Sequence, residues 1–473
     1  MAAASARRGA EAAPPETTPS LRDLLRKQDV LTLVLSRMAT TLGLATLSYG
    51  AMVFLAQEGS SQLQVSLMGM TRYAAALLFG LGGGLMADAM SKRGALFAAY
   101  AIQAALCFLI PFFAGDGLGP LFALVLLSAI LGQLATPAIK SAVSLVATPA
   151  EVAGASALIT VGSGLASAIG SSLLAPLLLN LGGIRWVMYG SGLIMLLGAI
   201  RALNLPPEED KRSLWRAFDD VDWRATFPSL PSTAEWLFAH KGAASMILSG
   251  SIIVAMFDGI STLLPIFVRD VLGLDPVNLV YIMAPGGIGF ILGSVLSPWL
   301  LARFGERPMA ALAVLSMFAG SIGFFLIDLI APVIGPFSPL RLVEVFGVRP
   351  GNATLAASLL SIPLAFGSTL GGAAVQTYIN RHVPVARQGG AFGRQELLDN
   401  ATTLFMIALL GILGTALGPR MVFLVAPVLL LLSVAALIRY AFRHAGEVTP
   451  GFGTVVSGLL RYRGPDEDDA ARP

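Results

Sequence analysis

A chain of 473 residues that is 55% hydrophobic and only 12% charged, with a mean hydropathy of +0.77, lies far from the ~25% charged composition of soluble domains and is excluded from that class. Its net charge of +3 is dispersed over the connections rather than gathered beside aromatic residues, which excludes a polynucleotide partner. A single cysteine, Cys107, excludes an intramolecular disulfide and a thiolate zinc site, and reads as a small buried hydrophobe.

The polar, Pro- and Ala-bearing stretch over 1–29 lacks the apolar core and small-residue cleavage site of a signal peptide, so it reads as a disordered cytoplasmic tail. Apolar runs long enough to cross a ~30 Å hydrocarbon core then recur at Val30–Ala56, Val65–Ala87, Ala95–Phe113, Pro120–Val143, Ala153–Leu179 and Trp186–Leu203. A polar cytoplasmic linker over 204–242 follows, in which Leu214, Trp215, Phe218 and Val221 recur at helical spacing. That spacing suits an interfacial amphipathic helix or a plain tether between halves. Six further runs occupy Ala243–Val268, Leu279–Ala302, Pro308–Ile330, Ala353–Ile379, Leu397–Leu417 and Val422–Tyr440. The expected fold class is an all-α polytopic membrane protein of twelve transmembrane helices, with one six-helix half over 30–203, a second over 243–443, and a cytoplasmic tail over 444–473.

Lys and Arg orient the chain, because cytoplasmic connections hold their excess. An inside N-terminus places 24 of the 31 basic residues on cytoplasmic segments and five outside, with Arg37 and Arg72 within spans. Both termini are then cytoplasmic. The dominance of arginine over lysine amid abundant Ala and Gly fits a GC-rich bacterial genome, and hence a bacterial inner membrane.

The connection between runs two and three, "GGGLMADAMSKRGAL" (Gly82–Leu96), has a counterpart between runs eight and nine, "SPWLLARFGERPMAAL" (Ser297–Leu312). Laying Gly84 on Pro298 aligns Asp88 with Ala302, Ala89 with Arg303, Ser91 with Gly305 and Arg93 with Arg307, an offset of 214. A second pairing, Pro149 and Gly154 with Pro384 and Gly389, has an offset of 235, and the polar connection Ala331–Gly351 supplies the 21 residues between them. Duplicated halves account for both.

On these residues the chain resembles the major facilitator superfamily, whose hallmark between spans two and three is Gly-x-Leu-Ala-Asp-Arg-x-Gly-Arg-Arg. Here it reads Gly84, Met86, Ala87, Asp88, with Ala89 for Arg, Ser91 for Gly, then Lys92-Arg93; the second half keeps Arg303, Gly305 and Arg307. The stretches "TPAIKSAVSLVATPAEVAGASAL", "LPIFVRDVLGLDP" and "VQTYINRHVPVARQGGAFG" look like the drug-efflux branch that includes macrolide-efflux-type antiporters. Two positions depart from that branch: Leu44 follows Gly43 where many members carry an acid, and Gly170-Ser171-Ser172 stands where Gly-Pro is usual. The resemblance implies halves that rock about a central cavity lined by spans one and seven. It also implies a conformational latch built from Gly84, Asp88, Lys92, Arg93, Arg303, Gly305 and Arg307, in which Asp88 pairs across the halves in the outward-facing state.

Charges within spans need a partner, a cavity or an escape to the interface. Asp258 in run seven is the first candidate for coupling, since an intramembrane carboxylate can take up and release a proton as its surroundings change. Arg37 and Arg72 either contact solute or snorkel to head groups. Glu396 and Asp399 are three apart on one helical face at the expected start of run eleven, which suits a solvated helix start or a coupling role. Tyr49, Gln133, Tyr281, Gln376 and Tyr378 either hydrogen-bond a ligand or join helices. Gly80 with Gly84, and Gly289 with Gly293, are spaced for close helix approach.

No phosphate loop, nucleophile motif or His/Cys/acid cluster occurs, so no enzyme, cofactor or metal is expected. The leading expectation is a monomeric secondary transporter that exports a small, largely hydrophobic organic solute by alternating access, with proton antiport as its coupling and membrane lipids as its surroundings. Organic-solute uptake, lysophospholipid flipping and a non-transporting partner or sensor are the alternatives.

Overall fold

Backbone N–H and C=O groups have no water to bond in hydrocarbon, so long apolar runs fold as helices that pair every such group internally. The computed structural model describes residues 24, 26–79, 91–115, 117–148, 151–207, 241–341, 350–383 and 385–444, and among these it contains helices and turns but no strand. The first half comprises α1 (Gln28–Gln57), α2 (Gln62–Phe79), α3 (Lys92–Phe113), α4 (Leu118–Val146), α5 (Val152–Ile169, continuing through a π turn at Gly170–Leu174 to 181) and α6 (184–202). In the second half are α7 (Lys241–Asp270), α8 (Val280–Phe304), α9 (Glu306–Phe325), α10 (Asn352–His382), α11 (Val385–Leu417) and α12 (Pro419–His444).

Ten described segments are long and apolar enough to cross a membrane. One of them, Gly154–Ala202, has 49 residues and is two crossings joined at Gly182–Gly183, where Gly183 takes φ +70°. Such a φ is open to glycine and strained for other residues. With α2, described only to Phe79, the twelve expected spans are accounted for.

Several boundaries move. Helix α11 begins at Val385, some three turns before the expected Leu397, so Glu396 and Asp399 lie inside a helix and not at its solvated start. The ninth run divides at Leu326: α9 ends at Phe325 and a short apolar helix, Ile327–Ile334, carries Asp328, whose carboxylate meets Arg420 of α12 at 2.7 Å. The possible linker helix and both tails' far portions fall outside the described residues.

Within each half the helices pack as groups. Helix α1 lies against α6 and α5, α10 against both α8 and α9, and α7 against α11 and α12. The α8–α10 contact depends on small residues: a Cβ at Gly289 would stand 2.1 Å from the Ile362 carbonyl oxygen, and one at Gly293 would stand 2.8 Å from Thr369 Cβ. Between halves, the broadest contact runs from α2 to α11. There Gly411 abuts Ser66 and Gly414 abuts Gln62.

Candidate central cavity

Two ends of the bundle are distinguished by their contacts. At the far end, where α1 stops and α8 begins, Gln57 donates to Asp275 Oδ1 at 2.8 Å. Beside it Arg269 Nη1 of α7 donates to the Ala56 carbonyl at 2.8 Å and the Ser60 carbonyl at 3.3 Å. At the terminal end, where α1 begins, the halves meet through Lys140 and Glu396 at 3.5 Å, side chains 69% and 59% exposed. An exposed pair at that distance contributes little.

Between these ends lies a cavity of about 490 Å³, lined by α1–α5 of one half and α7, α8 and α10 of the other. That volume falls within the range of small-molecule sites, roughly 300–1,000 Å³. At 1.5 Å per residue, Asp258 stands ~26 Å along the ~45 Å of α7, near the middle. Tyr73 of α2 donates to Asp258 Oδ2 at 2.6 Å. Arg72 Nη2 donates to the Tyr73 hydroxyl at 3.1 Å, and its guanidinium lies 4.8 Å from the Tyr73 ring centroid. Arg72 is nonetheless exposed, because the cavity reaches it. A cation, a phenol and a carboxylate from opposite halves therefore form one chain of contacts.

The structure sorts the sequence candidates. Asp258, Arg37, Arg72, Tyr49 and Gln133 line the cavity. Tyr49 donates to the Ser261 carbonyl at 3.3 Å and touches Met283 Sδ at 3.4 Å, a second tie between halves. Tyr281, Gln376 and Tyr378 do not line it: Gln376 is exposed, and Tyr378 is buried and stacked on His382 at 4.3 Å. Asp399 accepts from Ser251 of α7, a tie within the second half, and Glu396 faces Lys140.

Of the expected latch, Gly84 and Asp88 lie outside the described residues. Arg93 Nη1 donates at 3.5 Å to the Leu205 carbonyl beyond α6, Arg303 stands over Trp299 at 5.6 Å, and Gly305 turns the chain from α8 to α9 with φ +83°. Ser91, which replaces the family's glycine, caps α3 by accepting from Gly94 N–H at 2.9 Å. Lys92 and Arg307 are both engaged in interactions.

Sequence reasoning missed Tyr73, although its place beside Arg72 in an apolar run was a signal. It also missed Glu306, which pairs with Arg381 at 2.8 Å. Among the described residues, four polar atoms on cavity-lining residues are buried without a hydrogen-bond partner: Thr41 Oγ1, Ser48 Oγ, Tyr100 Oη and Gln103 Oε1. The π turn of α5 adds Ser171 and Ser172 to the lining. It forms where Gly170 approaches α1 so closely that a Cβ would stand 2.6 Å from the Leu42 carbonyl oxygen. Among the described residues no group of three or more His, Cys, Asp or Glu side chains is placed to hold a metal.

Near the terminal end, Glu151 accepts from Lys27 at 2.7 Å and from Thr148 N–H at 3.0 Å. The Lys27 hydrogen bond, with help from Thr148, holds the Glu151 carboxyl down at about 2.

The family profile described as Major Facilitator Superfamily matches residues 31–359. No curated protein sequence matches the chain significantly. Among solved structures, the nucleoside transporter NupG superposes with a TM-score of 0.65 at 13% identity, covering 87% of this chain and 99% of that one. A bacterial homologue of the human lysosomal transporter Spinster, inward-facing and occupied, gives 0.64 at 15%, covering 92% and 100%. A bacterial homologue of the iron transporter ferroportin, inward-facing, gives 0.59 at 16%, covering 89% and 100%. At these identities the likeness is one of fold.

Proposed function

Because the chain belongs to the major facilitator superfamily, a family of membrane transporters, we propose that it is a secondary transporter that exports a small, largely hydrophobic organic solute by alternating access, with protons as the counter-ion. Export and antiport follow from the likeness of its longer stretches to the drug-efflux branch. The observation that carries the coupling is the Tyr73–Asp258 hydrogen bond, which spans the two halves inside the cavity. An ionised carboxylate accepts more strongly from a phenol than a neutral acid does. Protonating Asp258 therefore weakens a tie between halves, and losing the proton restores it. Solute and proton meet at one depth, where the halves pivot.

The excess of Lys and Arg on the terminal side supports a cytoplasmic terminal end, and the dominance of arginine over lysine supports a bacterial inner membrane. A far end fastened by Gln57–Asp275 and Arg269, against an exposed Lys140–Glu396 pair at the terminal end, fits a state that collects solute from the cytoplasmic side. The test is flux of candidate drugs in everted vesicles under an imposed pH gradient. Uphill movement into the vesicle, lost in Asp258→Asn at equal protein level, is expected. Solute leaving the vesicle would mean uptake, and proton-driven flux surviving in Asp258→Asn would overturn the coupling.

A further inference from the structure

Among the described residues the cavity is lined by two arginines and one acidic side chain: Arg37, Arg72 and Asp258. Arg72 and Asp258 share Tyr73 and offset each other. Arg37 is then the surplus charge, and its guanidinium has no hydrogen-bond or ion-pair partner among the described residues. A cation inside a membrane bundle calls for a counter-charge or water. The cavity admits water when empty, and an anionic ligand would supply the counter-charge when filled.

The neighbours are suited to an anion. Arg37 stands ~14 Å into α1 and Tyr100 ~12 Å into α3, two helices that start at the same end. Tyr100 packs in one cluster with Leu33 and Val34, with Met38 against it. Tyr100 belongs to the cavity lining, its side chain is 1% exposed, and its buried hydroxyl has no hydrogen-bond partner among the described residues. The Thr41 hydroxyl, one helical turn beyond Arg37, is likewise buried and unpartnered. A guanidinium offers five N–H donors and each hydroxyl offers one more. Toward the far end the lining offers apolar surface from Met52, Met68, Ile260 and Leu264 alongside Ser261 and Thr262.

We propose that Arg37, Thr41 and Tyr100 bind the acidic group of the transported solute, so that the substrate class is an organic acid, a carboxylate or phosphate ester on an apolar body. The acid sits at the terminal side of the cavity and the apolar part extends toward Met52. The proposal rests on the transport reading, and adds to it the charge of the cargo.

The full-length protein in lipid nanodiscs is titrated calorimetrically with 4-phenylbutyrate, phenyl phosphate, 4-phenylbutanol and 4-phenylbutylamine, which share a phenyl group and differ in charge. One or both anions should bind about tenfold or more tightly than the alcohol, and the amine least. Arg37→Gln should bring the anions down to the affinity of the alcohol for the same variant, and Arg37→Lys should retain part of the preference. Equal binding of acid and alcohol, or a preference that survives Arg37→Gln in protein of wild-type thermal stability, overturns the proposal. Binding and flux fail separately. Flux of neutral drugs without anion preference would leave the transport reading intact and remove this one, whereas an Arg37-dependent anion site without flux would do the reverse.

Discussion

The Tyr73 hydroxyl of α2 donates to Asp258 Oδ2 of α7 at 2.6 Å, so a hydrogen bond to a carboxylate joins the two halves at mid-depth. Tyr73→Phe keeps the ring beneath Arg72 and deletes the hydroxyl that donates to Asp258 and accepts from Arg72. A hydrogen bond to a charged group is worth about 1.5–3 kcal/mol, so turnover in proteoliposomes should fall roughly tenfold or more, with KM little changed. Unchanged turnover would place that bond outside the transport cycle.

The far end should be lockable. Gln57 and Asp275 touch at 2.8 Å, and the native cysteine, Cys107, is buried. Gln57→Cys with Asp275→Cys, bridged by a bifunctional thiol reagent, should stop transport, and a reducible bridge should restore it on reduction. Full transport with the bridge intact would mean that this end need not part.

Acid should loosen the entry to α5. The folded-state pKa of Glu151, about 2, lies below the ~4.3 of an unfolded glutamate. Its stabilising effect is therefore fully present above pH ~4.3 and disappears as pH falls through about 2. Thermal denaturation between those limits should show a falling Tm that Glu151→Gln flattens. Identical slopes for the two proteins would refute it.

Gly289→Ala should force α8 away from α10, because the new Cβ meets a backbone carbonyl that cannot rotate aside. Overpacking of this kind costs about 1–3 kcal/mol. Gly372→Ala on α10, with nothing within 4 Å of its Cβ position, is the control. The comparison is of melting temperatures in detergent, and equal values would contradict the packing described.

The twelve crossings were legible because a hydrocarbon core demands long apolar runs, and that demand leaves its print residue by residue. Asp258, Arg37 and Arg72 were legible for the same reason: a charge among leucines and alanines stands out. Contact partners were not. Tyr73 is ordinary in composition, and only the approach of α2 to α7 makes it the ligand of Asp258. Tyr281, Gln376 and Tyr378 show the converse, since polarity within a span does not say which way a helix faces. The early start of α11 was hidden by "VARQGGAFGRQ", a polar stretch that forms helix without needing apolar character.

Arg269 has a further consequence. It reaches from α7 to the carbonyls of Ala56 and Ser60, at the end of α1. Helix α1 has no basic residue in its own last turn, so its exposed carbonyls borrow a cation from the other half. The closure of the far end is thus also the capping of a helix. When the halves part, water at the membrane surface takes over those carbonyls, and the net change is about 0.5–1.5 kcal/mol per hydrogen bond. A fastening of that size holds the far end shut yet lies within reach of thermal opening, as the alternating access proposed for this chain requires.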